Sequence, residues 1–387
     1  MKFLQETLSA KSGVLKEIRS VLVQKTGIIL VMVVDAICAH YLGELGAFGM
    51  FAAVASLIAV VTAPWGNAAA TEGALALGED DRPLAARRFG VYAIDPLYIS
   101  VIAIVMVFVL SGHMAVWLGE SGDQASAYMF WALVAKLIGH VPMAGVKAMR
   151  KSGNTHEIIA STWILSLVNC LGNIVSIYLG WGIEGLAISW AVAEMAAAYI
   201  PIAAARRHEL LAVPTFGDVK HVARKAIAGY IAAIPGTGVC ALRTVVYATL
   251  SGDVLSAFIA IRQGYESANN LASQLAKVGV AANQRCEEGA QHAYKWSILV
   301  RGVSMPIAYY LGGMPAIVMT LFGHFALMAY CSVQSRADYV TNAKASGGAD
   351  VVWACLIGLM LATDSCSLAW LLGARYAQQL TYAALAR

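Results

Sequence analysis

The feature that most constrains this chain is the spacing of its charged residues. They cluster in short segments and leave apolar stretches of about 20 residues, the length a helix needs to cross a ~30 Å hydrocarbon layer. Of 387 residues, 59% are hydrophobic and only 13% are charged, against about 25% charged in ordinary soluble domains. A soluble fold cannot hide that much apolar surface, so lipid is the solvent. The pattern predicts spans at 22–43, 46–68, 90–112, 128–148, 156–179, 183–204, 226–250, 254–278, 298–323 and 349–374, with 324–348 too polar to assign. The first apolar segment begins near Thr26 and is long enough to span, so it reads as a transmembrane helix and not as a signal peptide.

Loop charges set the orientation. Helices that cross in alternation place Lys and Arg on every second loop, and they do so here. Lys2, Lys11, Lys16, Arg19 and Lys25 precede the first span, and no further Lys or Arg occurs until Arg82, Arg87 and Arg88. Lys147, Arg150 and Lys151 mark the next internal loop, and the basic stretch 205–225 the one after it. That stretch is a cytoplasmic linker between an N-terminal lobe, 1–204, and a C-terminal lobe, 226–387, which shows fewer than six spans. The halves match weakly at a shift of about 210 residues: Leu45–Phe48 with Leu255–Phe258, Gly78 with Gly289, and Leu110–His113 with Leu321–His324. Both enter the membrane in the same direction, which describes a parallel repeat with a cavity between its halves.

Other classes fall away. A net charge of +4, with the basic residues placed by topology, gives no nucleic-acid signal. Seven scattered cysteines without a CxxC pair read as small buried hydrophobes, neither zinc ligands nor disulfides. The absence of a Walker motif argues against direct ATP drive. A membrane-embedded enzyme using His113 and His324 is the reading from another class. Both follow Gly at predicted external helix ends, and interfacial capping explains them better, so the chain is expected not to be an enzyme.

Three stretches carry a family resemblance. The first is Val33-Val-Asp-Ala-Ile-Cys-Ala-His-Tyr-Leu-Gly43, with an Asp eight residues before the Gly. The second is Gly66-Asn-Ala-Ala-Ala-Thr-Glu-Gly-Ala-Leu-Ala-Leu-Gly78, followed by Asp80, Arg82 and Ala85-Ala-Arg-Arg88. The third is Asn169-Cys-Leu-Gly-Asn173, then Gly182-Ile-Glu-Gly-Leu-Ala-Ile-Ser189. These resemble the multidrug and toxin extrusion (MATE) family of secondary transporters, part of a wider multidrug, oligosaccharidyl-lipid and polysaccharide exporter superfamily, and Pro235 near the start of the seventh span also fits. The resemblance covers residues 20–325. It implies an all-α polytopic membrane protein with 10–12 helices in two lobes forming a V, exporting bulky, often cationic organic molecules in exchange for H⁺ or Na⁺ without another cofactor. Where the family has Asp at the second position of its Asn-x-x-x-Asn/Asp motif, this chain has Asn173.

An ionisable side chain at mid-membrane costs at least ~2.5–3.5 kcal/mol, so each one calls for a partner or a task. Asp35 lies about ten residues past Lys25, roughly 15 Å deep, and is the first choice for taking up a proton or helping to hold Na⁺. Asn169 and Asn173, one turn apart, could add amide oxygens to the same cation, or serve as interhelical glue. The resemblance places the family's Thr near the start of helix six at Ser189 or Trp190, and Ser189 joins the set on that ground. Glu194 and Lys136, mid-span and of opposite charge, read as a buried ion pair, with a direct role for Glu194 the alternative. Arg262 and Glu266 are spaced i,i+4 and can satisfy each other while lining the cavity. Arg243 and Asp364 could pair across the C-terminal half, or one could meet substrate. The expectation is an ion-coupled antiporter in a bacterial inner membrane, N-terminus cytoplasmic, with small-molecule cargo, lipid around it and self-association open. A flippase for a lipid-linked precursor or a natural product is the alternative.

Overall fold

A computed structural model describes residues 2–93, 122–140, 142–152, 156–250, 252–283, 287–335, 339–363 and 367–385. The chain is an all-α polytopic membrane protein. Its helices are α1 (Lys2–Tyr41), α2 (Leu45–Gly78), α3 (Arg82–Val91), α4 (Gly122–His140), α5 (Met143–Lys151) and α6 (His156–Tyr178). They continue as α7 (Gly182–Arg207), α8 (Phe216–Thr249), α9 (Gly252–Asn283), α10 (Glu287–Ser335), α11 (Tyr339–Ala362) and α12 (Leu368–Leu385). Among the described residues, five segments are apolar and long enough to cross a bilayer by length and composition alone: Ile18–Tyr41, Phe130–Lys151, His156–Tyr178, Gly182–Arg207 and Ala293–Ala329. Most of the expected third span, 90–112, lies outside the described residues, as do His113 and Asp364.

Helix α6 shows why lipid is the solvent. Its buried residues are Ile158, Thr162, Ser166, Asn169, Asn173 and Ser176, five of six polar. Its exposed residues include Leu167, Leu171, Ile174, Val175 and Tyr178. A water-soluble helix carries the opposite arrangement. Thr162 and Ser166 spend their hydroxyls on the carbonyls of Ile158 and Thr162, at 2.9 and 2.8 Å, so no donor there faces hydrocarbon.

The chain forms two compact units, one of residues 41–249 and one of 1–40 with 250–387. In the unit 41–249, the short helices α3 and α5 carry the basic loops and seal one core: Ala76, Ala85, Phe89, Ala148, Met149, Ile158, Ala204, Ala205 and Leu210. Helix α3 starts on Asp81, whose carboxylate accepts from Leu84 N at 3.0 Å. Helix α8 starts on a capping box, in which Asp218 N donates to Thr215 Oγ1 at 3.3 Å and Thr215 N donates to Asp218 Oδ2 at 2.9 Å. The linker expected at 205–225 is therefore helical up to Arg207 and again from Phe216. In the other unit, α1 packs on α9 and α10 through Ile18, Leu271, Leu275, Val278 and Ala293.

Two expected spans prove to be pairs of helices. Helix α10 is broken at Gly313, with φ 62° and ψ −158°. Arg301 and His324 hydrogen-bond to each other, yet 23 residues of straight helix would separate them by about 35 Å. The helix therefore folds back, with arms 287–312 and 314–335 flanking the turn, and the expected single span 298–323 covers a hairpin. The signal was Gly312-Gly313-Met314-Pro315, a turn written in residues that an apolar run conceals. The expected span 349–374 likewise divides between α11 and α12, which lie antiparallel, as the hydrogen bond from Gln378 Nε2 to Asp350 Oδ1 at 2.8 Å requires. The segment 324–348, left unassigned for its polarity, is helical to Ser335 and again from Tyr339. Residues 216–385 thus carry six helical segments: α8, α9, the two arms, α11 and α12.

Candidate functional site

Asn169 and Asn173 lie on the buried face of α6, both fully buried. Asn173 Nδ2 donates to Asn169 Oδ1 at 3.2 Å, and Asn169 Nδ2 has no partner among the described residues. One turn further on, Ser176 Oγ sits 2.9 Å from Ser189 Oγ of α7, and both hydroxyls reach Gly185 O, at 3.0 and 2.7 Å. Two glycines permit this approach. A Cβ on Gly172 would lie 2.7 Å from Ser189 Cβ, and one on Gly185 would lie 2.7 Å from Ser176 Cβ. Gly172 with Ser176 on α6 thus faces Gly185 with Ser189 on α7, the small-residue spacing that lets membrane helices pack closely. Ser189 is held by its own helix and by Ser176, so its hydroxyl serves this interface. Thr162, Ser166 and Ser176 were missed in the sequence reading. Their signal was the alternating spacing of four and three residues that they form with Asn169 and Asn173.

Next to this spine, Glu194 accepts from Trp190 Nε1 at 3.1 Å. Its carboxyl lies on the backbone of α4, because a Cβ at Gly139 would fall 2.7 Å from Glu194 Cδ. Lys136 is near enough to act on Glu194 electrostatically, but the hydrogen bond to the carboxylate comes from the indole. The expected Lys136–Glu194 pair is a long-range attraction, not a closed ion pair. His140, one turn from Lys136, has Nε2 buried without a partner among the described residues.

A second polar cluster in the same unit escaped the sequence reading. Glu72 of α2 is 7% exposed, and its Oε2 takes hydrogen bonds from Arg88 of α3 and from His221 of α8, the latter at 2.7 Å. Arg87 Nε donates to Asp218 Oδ2 at 3.1 Å. Asp218 feels burial, which raises its pKa, but the hydrogen bonds from the Thr215 hydroxyl and amide and the Arg87 guanidinium outweigh it and hold the carboxyl below its usual range. The signal was the charge sequence of a loop already marked as basic: residues Glu72, Arg87 and Arg88, facing a linker that contains Asp218 and His221.

Asp35 belongs to the unit of 1–40 and 250–387, whereas Asn169, Asn173 and Ser189 belong to 41–249. Asp35 is half-buried. On the same helix a narrow crevice is lined by Ile29, Met32, Val33 and Ala36 of α1, Gln263 and Ser267 of α9, and Leu311 of α10. Helical geometry puts Asp35 roughly 60° around α1 from Met32, on the flank of that lining face. On α9, Arg262 Nε and Glu266 Oε1 form the expected i,i+4 pair at 2.6 Å. Arg243 lies within α8, and its side chain, like all of Asp364, is outside the described residues. His324 is not at a helix end: it sits within the arm 314–335 and bonds Arg301, so the capping role expected of it is replaced by a contact between the two arms. Among the described residues there is no cluster of three or more His, Cys, Asp or Glu side chains able to hold a metal ion.

No family model and no curated protein matches the sequence. Solved structures do match it end to end. An inward-facing multidrug-resistance MATE transporter of the MOP superfamily superposes with a TM-score of 0.65 at 15% identity, covering 95% of each chain. A MOP superfamily transporter of Pyrococcus furiosus, described as having a binding pocket of reverse polarity that suggests a different function, gives 0.63 at 15% identity over 97% of this chain and 94% of its own. A eukaryotic MATE transporter gives 0.63 at 14% identity, over 100% and 95%. The hairpins that replace two of the expected spans complete an arrangement shared with these structures over nearly their whole length, and the chain has the fold of the MATE transporters of the MOP superfamily.

Proposed function

We propose that the protein is a secondary transporter, driven by H⁺ or Na⁺, that exports organic cationic or amphipathic small molecules by alternating access. The observation that supports this reading is the end-to-end likeness to MATE transporters over 95% of both chains, on a chain whose α6 buries polar residues and turns apolar ones outward. Protonation, or Na⁺ binding, at Asp35 would shift the balance between outward and inward states and so release cargo. Asn169, Asn173, Ser176 and Ser189 offer neutral oxygens, the donor type hard cations prefer. The Na⁺ would have to exchange places with hydrogen bonds those groups already make. The protein sits in a bacterial inner membrane with its N-terminus in the cytoplasm, and it performs no chemistry on its cargo.

The test is uptake into proteoliposomes under separate pH and Na⁺ gradients with a panel of organic cations. Wild type is expected to respond to one gradient and Asp35→Asn to neither. Transport at the wild-type rate by Asp35→Asn would refute the assignment of Asp35. A second reading, export or flipping of a lipid-linked precursor or natural product, is favoured by a buried arginine, Arg301, that has no carboxylate partner among the described residues.

A further inference from the structure

Arg301 stands twelve residues before the turn of the α10 hairpin, about 18 Å along its arm and so close to the middle of a ~30 Å layer. It is 4% exposed. One terminal nitrogen donates to His324 Nδ1 on the other arm, and Nη2 donates to Asn269 Oδ1 of α9 at 2.6 Å. Nε is buried with no acceptor among the described residues. The groups that act on this guanidinium electrostatically are Tyr265 and Cys331. Glu266, the carboxylate that acts on Tyr265, is already engaged by Arg262. Asn269 turns its amide to Tyr265 Oη at 3.0 Å, and the Tyr265 ring is pressed against the backbone of Gly323, where a Cβ would lie 2.5 Å from it. Gln379 of α12 reaches the Tyr265 hydroxyl, is 6% exposed, and leaves both of its polar atoms short of well-formed hydrogen bonds. Arg375 adds a second positive charge acting on Tyr265.

A buried cation in hydrocarbon is retained where it is paired or where it has a ligand. His324, Asn269 and Tyr265 supply dipoles but no negative charge. A water molecule would satisfy Gln379 and Nε but would not neutralise Arg301. A planar guanidinium with a free Nε beside an engaged terminal nitrogen is the fork that binds an oxyanion, and Gln379 and Tyr265 add neutral donors beside it.

We propose that the unit of 1–40 and 250–387 contains a buried oxyanion site on Arg301, flanked by Asn269, His324, Tyr265 and Gln379, that binds the acidic group of an amphipathic or zwitterionic molecule. As a site for cargo it rests on the transporter reading; as a binding site it does not. An exporter with this site takes molecules bearing a carboxylate or phosphate as well as, or in place of, simple cations.

The experiment uses the full chain in a neutral detergent and titrates it calorimetrically with octanoate, inorganic phosphate and octyltrimethylammonium, for wild type, Arg301→Gln, Arg301→Lys and Gln379→Leu. Saturable octanoate binding is expected, weakened tenfold or more by Arg301→Gln and less by Arg301→Lys, which keeps the charge and loses the fork. Octyltrimethylammonium binding should change by less than twofold. Binding of phosphate with the same dependence on Arg301 assigns the site to free anions, and binding of octanoate alone assigns it to the acidic group of an amphipath. If Arg301→Gln does not fold, Arg301→Lys and Gln379→Leu carry the test. Anion binding that is absent in wild type, or unchanged in every folded variant, overturns the proposal. No gradient is present, so a protein that binds octanoate through Arg301 but transports nothing refutes the transporter reading and leaves the site standing.

Discussion

The hairpin of α10 can be tested at its turn. Gly313 has φ 62° and ψ −158°, a region of backbone space open essentially to glycine alone. A Cβ at this position would meet only Pro315 Cδ, at 3.7 Å, which is ordinary contact. Gly313→Ala therefore costs backbone strain and nothing in packing, about 1–3 kcal/mol. The same substitution also removes a glycine's helix penalty of ~1 kcal/mol in the competing continuous helix, so strain and competition act in the same direction. Its neighbour differs in mechanism. A Cβ at Gly312 would lie 2.4 Å from Ile261 Cα, so Gly312→Ala forces α9 and α10 apart by overpacking, at about 1–3 kcal/mol. Spin labels at the exposed residues Ile298 and Met328 read the geometry directly. Thirty residues of continuous helix separate them by about 45 Å, while antiparallel arms with axes 8–10 Å apart keep them within about 25 Å. Wild type should show the short distance, and Gly313→Ala should lower the melting temperature and broaden the distance distribution towards the long one. A wild-type distance near the long value would refute the hairpin. Unchanged stability in Gly313→Ala would refute the claim that the turn depends on glycine.

Gly172→Leu and Gly185→Leu should each destabilise the unit 41–249 by more than the ~1–3 kcal/mol usual for overpacking, since each new side chain begins 2.7 Å from a serine of the facing helix; melting of the purified protein in detergent reads this, and a wild-type melt in either would refute the close α6–α7 interface. Glu72→Gln keeps an acceptor oxygen but removes the negative charge shared by Arg88 and His221 and should cost about 1.5–3 kcal/mol, clearly more than Glu266→Gln in its partly exposed i,i+4 pair; equal melting shifts would contradict that ranking. Asp218 has a folded pKa below its usual 3.8, so its stabilising contribution is complete above the unfolded value and is lost as pH falls through the folded one. The gap in melting temperature between wild type and Asp218→Asn should be full near neutrality and close as the pH drops below about 4, and a gap independent of pH would show that the carboxylate charge plays no part.

Membrane class and the placement of most helices were legible in the sequence because hydrocarbon imposes a single length scale on every span. The errors share one cause. A hydropathy pattern reports where a chain is apolar and not where it turns, so Gly312-Gly313-Met314-Pro315 passed as the middle of a span and the α11–α12 turn did the same. Conversely, 324–348 looked too polar to cross because residues such as His324 face other helices instead of lipid, and no composition rule sees that partner. The site was legible by residue type but not by grouping. Asn169 and Asn173 were found through the family motif and their one-turn spacing, and their continuation through Thr162, Ser166 and Ser176 would have been found by spacing alone had hydroxyls been counted with amides. Arg301 carried no local signal at all, since its neighbours His324 and Asn269 are 23 and 32 residues away in the chain.

The polar groups of the two units differ in what they can do. Asn169, Asn173, Ser176 and Ser189 do not titrate at any physiological pH, so if the proposed transport cycle is driven by protons, the proton must reside on another group, such as Asp35 in one unit or Glu194 in the other. The two have unlike surroundings. Glu194 is hydrogen-bonded to an indole, packed on Gly139 and attracted by Lys136, so a proton arriving there displaces a structured set of contacts. Asp35 is half-buried on α1, on the flank of the face that packs towards Gln263, Ser267 and Leu311. Under a pH gradient, loss of coupling in Asp35→Asn with coupling retained in Glu194→Gln assigns the proton to Asp35, and the converse assigns it to Glu194.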